Sequence, residues 1–169
     1  MAIKKKFFLT SFVFAGLISV WFIRVKPWLS AEQILARFYS QQSVVGIAED
    51  MLMDPLILGG SKVVPLIIQE IQNKDMPLRR YAISFLGNGG FVESKSILNR
   101  ILNDEMEIYY IRFDALVSLY NIDPQMAQQV TEKYILREDQ LGQMVKSHPN
   151  VAFAGIRRGY WNAFFGFHE

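Results

Sequence analysis

Leu78-Arg79-Arg80-Tyr81-Ala82-Ile83-Ser84-Phe85-Leu86-Gly87 returns 33 residues later (112 − 79) as Ile111-Arg112-Phe113-Asp114-Ala115-Leu116-Val117-Ser118-Leu119-Tyr120. The shared frame is apolar, Arg, two variable residues, Ala, three variable residues, Leu. It falls on Arg79, Ala82 and Leu86, then on Arg112, Ala115 and Leu119. A recurrence at about 30 to 50 residues marks stacked repeats, because a single unit of this kind cannot bury its apolar face alone. Arrays of this sort bind partners and seldom catalyse.

The rest of the chain fits around that frame. A first helix precedes each framed one: Leu66-Ile67-Ile68-Gln69-Glu70-Ile71 compares with Ile97-Leu98-Asn99-Arg100-Ile101-Leu102, at an offset of 31 (97 − 66). Two extra residues within Glu105 to Tyr110 restore the larger offset. Polar linkers Gln72-Asn73-Lys74-Asp75 and Asn103-Asp104-Glu105 separate the helices. Gly87-Asn88-Gly89-Gly90 and Asn121-Ile122-Asp123-Pro124 close the units with helix-ending glycine and turn chemistry.

Upstream, Ser30 and Gln33 have the form of a capping box. Ile34, Leu35, Phe38 and Tyr39 follow at helical spacing. After polar Ser40 to Ser43, Val44 to Met53 is expected to form a second helix, with Val44, Ile47, Ala48, Met51 and Leu52 on one face. Asp54-Pro55 and Gly59-Gly60 then mark turns. This pair is expected to cap the array at its N-terminal end. Downstream, Asp123 as cap with Pro124 at the first helical position starts a helix carrying Met126, Val130 and Tyr134, with Leu141 a further member of the stripe. It could complete a third hairpin before Ser147-His148-Pro149-Asn150 breaks the chain. No run alternates with period two, so the expected fold class is all-α.

Leu78-Arg79-x-x-Ala82-x-x-x-Leu86-Gly87 resembles the second helix of a HEAT repeat, including the short variety of bacterial phycobilisome-lyase-like proteins. Ile111-Arg112-x-x-Ala115-x-x-x-Leu119 resembles it too, without the glycine. The resemblance covers Ser61 to Asp123, and more loosely Ala31 to Arg137. It implies a short, right-handed α-solenoid of helix hairpins with one curved face open to a partner, and no catalytic residue. It also implies that Arg79 and Arg112 pair with acidic or carbonyl groups in the preceding linker, with Asp75 and Asp104 as local candidates. Ala82 and Ala115 would be small so that paired helices approach closely.

Ahead of the array, Phe7 to Ile23 is a 17-residue run (23 − 7 + 1) whose only polar members are Thr10, Ser11 and Ser19. As a helix it would be about 26 Å long, slightly short of the hydrocarbon core of about 30 Å. The flanks Lys4, Lys5, Lys6, Arg24 and Lys26 suit the interface, as do Trp21 and Trp28. A cleaved signal peptide is the competing reading, but no small-x-small cleavage pair follows the run. We therefore expect a single uncleaved transmembrane helix within an anchor over residues 1–28. Capping helices would occupy 29–60, HEAT-like repeats 61–146, and an aromatic C-terminal helix or tail 147–169. Lys4, Lys5 and Lys6 outweigh Arg24 and Lys26, which places the N-terminus in the cytoplasm and the domain outside, in the periplasm of a Gram-negative cell.

Those same residues dispose of nucleic acid as a partner. The chain has 18 basic and 16 acidic residues, but five of the basic ones flank the apolar run. From Leu29 onward 13 basic residues (18 − 5) face 16 acidic ones, a balance of −3. A nucleic-acid binder concentrates positive charge on its folded part.

Candidate partner-binding residues are Tyr109 and Tyr110, which either form an exposed recognition pair or wedge between repeats. Phe153, Tyr160, Trp161, Phe164 and Phe165 join them from a C-terminal segment that also holds Ile156 and Phe167. That segment either closes the array's core or docks on a partner or membrane interface.

Site chemistry is sparse, and we expect no catalytic, cofactor or metal residues. His148 and His168 lack a ligand at i+3 or i+4. Glu49, Asp50 and Asp54 lack the spacing of a calcium loop. Gly87-x-Gly89-Gly90 has no following Lys-Ser/Thr for a phosphate, and no serine sits in a nucleophile elbow. The chain has no cysteine. The expected function is a non-catalytic, membrane-anchored scaffold, an accessory or assembly subunit of a larger membrane complex. The alternatives are an exported or anchored adaptor or chaperone-like protein with transient partners, and a helper resembling the bilin lyases.

Overall fold

The computed structural model describes residues 29–148, apart from 45, 47 and 48. The expected anchor, with Lys4, Lys5, Lys6, Trp21, Arg24, Lys26 and Trp28, lies outside the described residues. So do Phe153, Tyr160, Trp161, Phe164 and Phe165. Among the described residues the fold is all-helical, without strands.

The chain enters through α1 (Ala31–Ser40). Its capping box forms as expected: the Gln33 backbone N–H donates to the Ser30 hydroxyl at 3.2 Å, and the Ser30 N–H donates to the Gln33 side chain at 2.9 Å. Each side chain thereby satisfies a backbone donor that the first helical turn leaves without an intrahelical partner. Ile34, Leu35 and Phe38 form the buried stripe of this helix.

The second expected helix is displaced. Val44 and Met51 are both 52% exposed, and Glu49–Met53 is a 3-10 turn. The buried α-helix α2 is Asp54–Gly59 instead, with Pro55 in its first turn and Leu56 and Ile57 in the core. Asp54-Pro55 thus starts a helix. Proline lacks only a donor that the first turn leaves unpaired, and its fixed φ suits entry. Ile47 and Ala48 lie outside the described residues.

At Gly60 the chain takes a φ of 55°, enters a 3-10 turn over Gly60–Val63, and continues as α3 (Val64–Glu70). The helical stretch Met51–Glu70 is long and apolar enough, by length and composition alone, to cross a membrane. Packing gives it another role. The positive φ interrupts it, and Met53, Leu56, Ile57, Val63, Val64 and Ile67 are buried in the main core cluster.

The two framed helices are α4 (Arg79–Asn88) and α6 (Tyr109–Ile122), with α5 (Lys95–Asn103) between them. Leu78, expected as the first apolar residue of α4, is its N-cap in the left-handed region, φ 55°. That conformation costs a side-chain-bearing residue about 1–2 kcal/mol. The Leu78 carbonyl accepts from Tyr81 and Ala82, and its side chain packs against the core. α6 starts a turn earlier relative to its arginine, which absorbs the two extra residues of the second repeat.

α6 is the central element: it packs against α4, α5, α7 (Pro124–Tyr134) and α8 (Gln140–Ser147). Its apolar residues go round the whole helix, which suits an element enclosed by neighbours. Ala82, Leu86, Ala115 and Leu119 are fully buried. α4 and α6 approach closely at Gly87, where a methyl group would come within 2.4 Å of the Ser118 Cα. The Ser118 hydroxyl donates to the Ile83 carbonyl at 3.0 Å across the same contact.

Asp123 caps α7 as expected, accepting from the Met126 N–H at 3.0 Å. Leu141 belongs to a separate helix. Asp139 caps α8 through the Gly142 N–H at 2.8 Å.

Candidate functional site

The linker from Asp104 to Ile108 and the start of α6 bring the partner of one framed arginine beside several exposed apolar side chains, Met106 at 87% among them. Arg79 and Arg112 are 7% and 4% exposed. A guanidinium so deep must have its donors satisfied and its charge compensated. Arg79 Nε donates to the Ile71 carbonyl at 2.7 Å, and Nη1 meets the Glu107 carboxylate at 2.6 Å. Arg112 Nε donates to the Leu102 carbonyl at 2.8 Å, and Nη2 to the Tyr134 hydroxyl at 3.3 Å. Its guanidinium carbon also lies 5.7 Å from the Tyr134 ring centroid, a cation–π distance.

The expectation of acidic or carbonyl partners in the preceding linker is met only nearby: both arginines take a carbonyl at the end of the preceding helix, Ile71 and Leu102, and neither Asp75 nor Asp104 is a direct partner. Asp75 is exposed, and its backbone N–H is taken by Asn73. Asp104 reaches Lys74 at 2.7 Å. The Lys74 hydrogen bond, followed by the Met106 N–H, holds its carboxyl below the usual carboxylate range. The carboxylate that neutralises Arg79 is Glu107, in the linker between α5 and α6. Its other oxygen accepts from the Ile108 N–H at 3.0 Å. This pairing spans 28 residues, so no local pattern could announce it.

Two grooves flank Glu107, of about 550 Å³ and about 710 Å³. Arg79, Arg100 and Asp104 border the first, and Tyr109, Arg112 and Gln140 border the second. Every charged side chain in the first has a partner: Lys74 with Asp104, Arg79 with Glu107, and Arg100 with Gln72 at 2.7 Å. The second carries Glu105, Glu138 and Asp139 on its rim, with Arg137 bridging Glu105 at 3.1 Å and Asp139 at 2.7 Å.

Tyr109 and Tyr110 stand edge to face at the start of α6, ring centroids 5.6 Å apart, 38% and 39% exposed. Beside them in sequence, Met106 is 87% and Ile108 50% exposed. Sequence reasoning passed over these two, although an apolar residue inside an otherwise polar linker is itself a signal. His148 lies with its ring centroid 5.3 Å from that of Phe113, and its Nδ1 is 3.0 Å from the Met144 carbonyl. Glu49 serves as hydrogen-bond partner to Tyr81.

Chemically, this arrangement fixes linkers to helices through charge-assisted bonds and presents an aromatic and aliphatic edge beside an acidic groove. Compared with family models, with curated proteins and with solved structures, the chain finds no match in any of the three.

Proposed function

We propose that this protein is a non-catalytic helical-repeat scaffold, held to a membrane by one N-terminal helix and acting as an accessory or assembly subunit of a larger membrane complex. In this reading the domain is a short α-solenoid of HEAT-like hairpins, outside the cytoplasm. The observation that carries it is the spacing of the long-range polar contacts. Tyr39 to Glu70, Arg79 to Glu107, Arg80 to Asp114, Asn121 to Asn88 and Arg137 to Glu105 all join residues 28 to 34 positions apart. One repeat length separates partner from partner, as stacking of successive units requires. Asn88 and Asn121 occupy the same place in their repeats (121 − 88 = 33) and bond to each other at 3.2 Å.

Exposed Met106, Ile108, Tyr109 and Tyr110 support a protein partner, since aromatic residues and methionine are enriched at the centres of interfaces. The anchor supplies local concentration, which turns a weak contact into a durable one. The test is a pull-down of the full chain in mild detergent through a C-terminal tag, with mass spectrometry of the eluate. A co-purifying membrane protein in fixed ratio is the expected result. A monodisperse, lone monomer would refute the subunit reading.

A further inference from the structure

We propose that the turn Leu58–Lys62, together with the start of α1, is a membrane-contacting edge that rests on anionic phospholipid headgroups. The inference deepens the anchored reading and rests on residues 7–23 spanning the bilayer. It begins with reach. Only the five residues Arg24 to Trp28 separate that apolar run from Leu29. Fully extended, they span at most about 18 Å. A unit of about 120 residues has a radius of gyration of about 14 Å and is about 35 Å across. Leu29 therefore stays within roughly one radius of the headgroups, and the pole that holds it is the one that meets them.

The structure identifies what else occupies that pole. Lys62 Nζ donates to the Leu29 carbonyl at 2.6 Å, so its ammonium lies at the tether point itself. A methyl group on Gly59 would come within 3.0 Å of the Ile34 side chain, which puts the rest of the turn against the first half of α1. Gly60, at φ 55°, breaks the α-helix there. Along this edge Leu58 is 60% exposed, and Ser61 and Lys62 are exposed.

An unburied leucine beside a lysine, both next to the tether, is the pairing that an interface accommodates. The apolar side chain reaches the acyl boundary and the ammonium reaches phosphate. Glu32 is an acidic group close enough to feel Lys62. The linker sequence adds two further cations, Arg24 and Lys26, to Lys62, and cations close to the tether favour an anionic surface.

The natural absence of cysteine makes the test direct. The full chain carrying Leu58→Cys, labelled with an environment-sensitive fluorophore, is reconstituted into vesicles of phosphatidylcholine and phosphatidylglycerol that contain brominated lipid. Met106→Cys, at a site 87% exposed on a later linker, is the reference. Strong quenching at position 58 and weak quenching at 106 is expected. Adding Lys62→Glu should lower the ratio of docked to undocked protein about fivefold, and phosphatidylcholine alone should lower it too.

Equal quenching at the two positions would overturn the proposal. Alkaline extraction of the same vesicles separates the two ways of failing. A chain that is extracted defeats the spanning reading, and this edge with it. A chain that stays while position 58 remains unquenched defeats the edge alone and leaves Leu58 to a protein partner.

Discussion

Removing either half of the Arg79–Glu107 pair should damage the protein far more than removing both. The two side chains are 7% and 3% exposed and meet at 2.6 Å. Glu107→Leu leaves a buried guanidinium with only the Ile71 carbonyl, and Arg79→Leu leaves a buried carboxylate with only the Ile108 N–H. An uncompensated buried charge costs about 3–5 kcal/mol. That is a large part of a total stability of about 5–15 kcal/mol. In the double variant no charge is stranded. What is lost is the bond to the Ile71 carbonyl, about 1–3 kcal/mol for a buried acceptor without a partner, and the bond from the N–H of Ile108, an exposed residue whose donor can turn to water. The singles should therefore sum to about 6–10 kcal/mol and the double should show about 1–3, a coupling of at least about 3 kcal/mol. Urea titration of the four proteins in one detergent, followed by far-UV circular dichroism, measures it. Additive losses, or a Glu107→Leu cost under about 1 kcal/mol, would refute the view that a buried charge pair ties one repeat to the next.

Gly87→Ala forces α4 and α6 apart, since the new methyl would lie 2.4 Å from a backbone atom; a loss of about 1–3 kcal/mol is expected, and an unchanged Tm would show that the contact yields. Ser30→Ala removes the acceptor of the capping box and should cost about 1 kcal/mol, read as a lower midpoint in the same titration. Burial, reinforced by a hydrogen bond to Glu70, pushes the Tyr39 phenol from 10.0 up to about 12. The fold favours its protonated form, so that stabilisation is complete below about pH 10 and lost as pH rises toward about 12. Thermal melts across that window should fall in the wild type and fall less in Tyr39→Phe. Tyr109→Ala with Tyr110→Ala should leave stability within about 1 kcal/mol while reducing the partner recovered in the pull-down; undiminished recovery would remove the tyrosines from the interface.

Local chemistry was enough to read the all-helical class and several helix caps. Ser30 with Gln33 and Asp123 with Pro124 announce helix starts because a cap acts within one turn of itself. Ala82, Leu86, Ala115 and Leu119 announce buried positions because helical periodicity is a property of the chain alone. The same signals misplaced the second helix, since Asp54-Pro55 serves a turn or a helix start equally well and packing chose the latter. They also put Leu78 inside α4, where a left-handed residue now stands.

The candidate site was legible only in part. Tyr109 and Tyr110 stand out as an aromatic pair, but that they are exposed, with Met106 and Ile108 beside them, depends on how α6 is enclosed. Glu107 as the partner of Arg79, Tyr134 as the partner of Arg112, and Lys62 at the Leu29 carbonyl were beyond sequence reading altogether. Each joins residues 22 to 33 positions apart. Sequence determines what a residue can do within a turn of itself. Which distant carboxylate a buried arginine meets is decided by how the helices and their linkers pack, because only that packing removes water and leaves the charge no other partner.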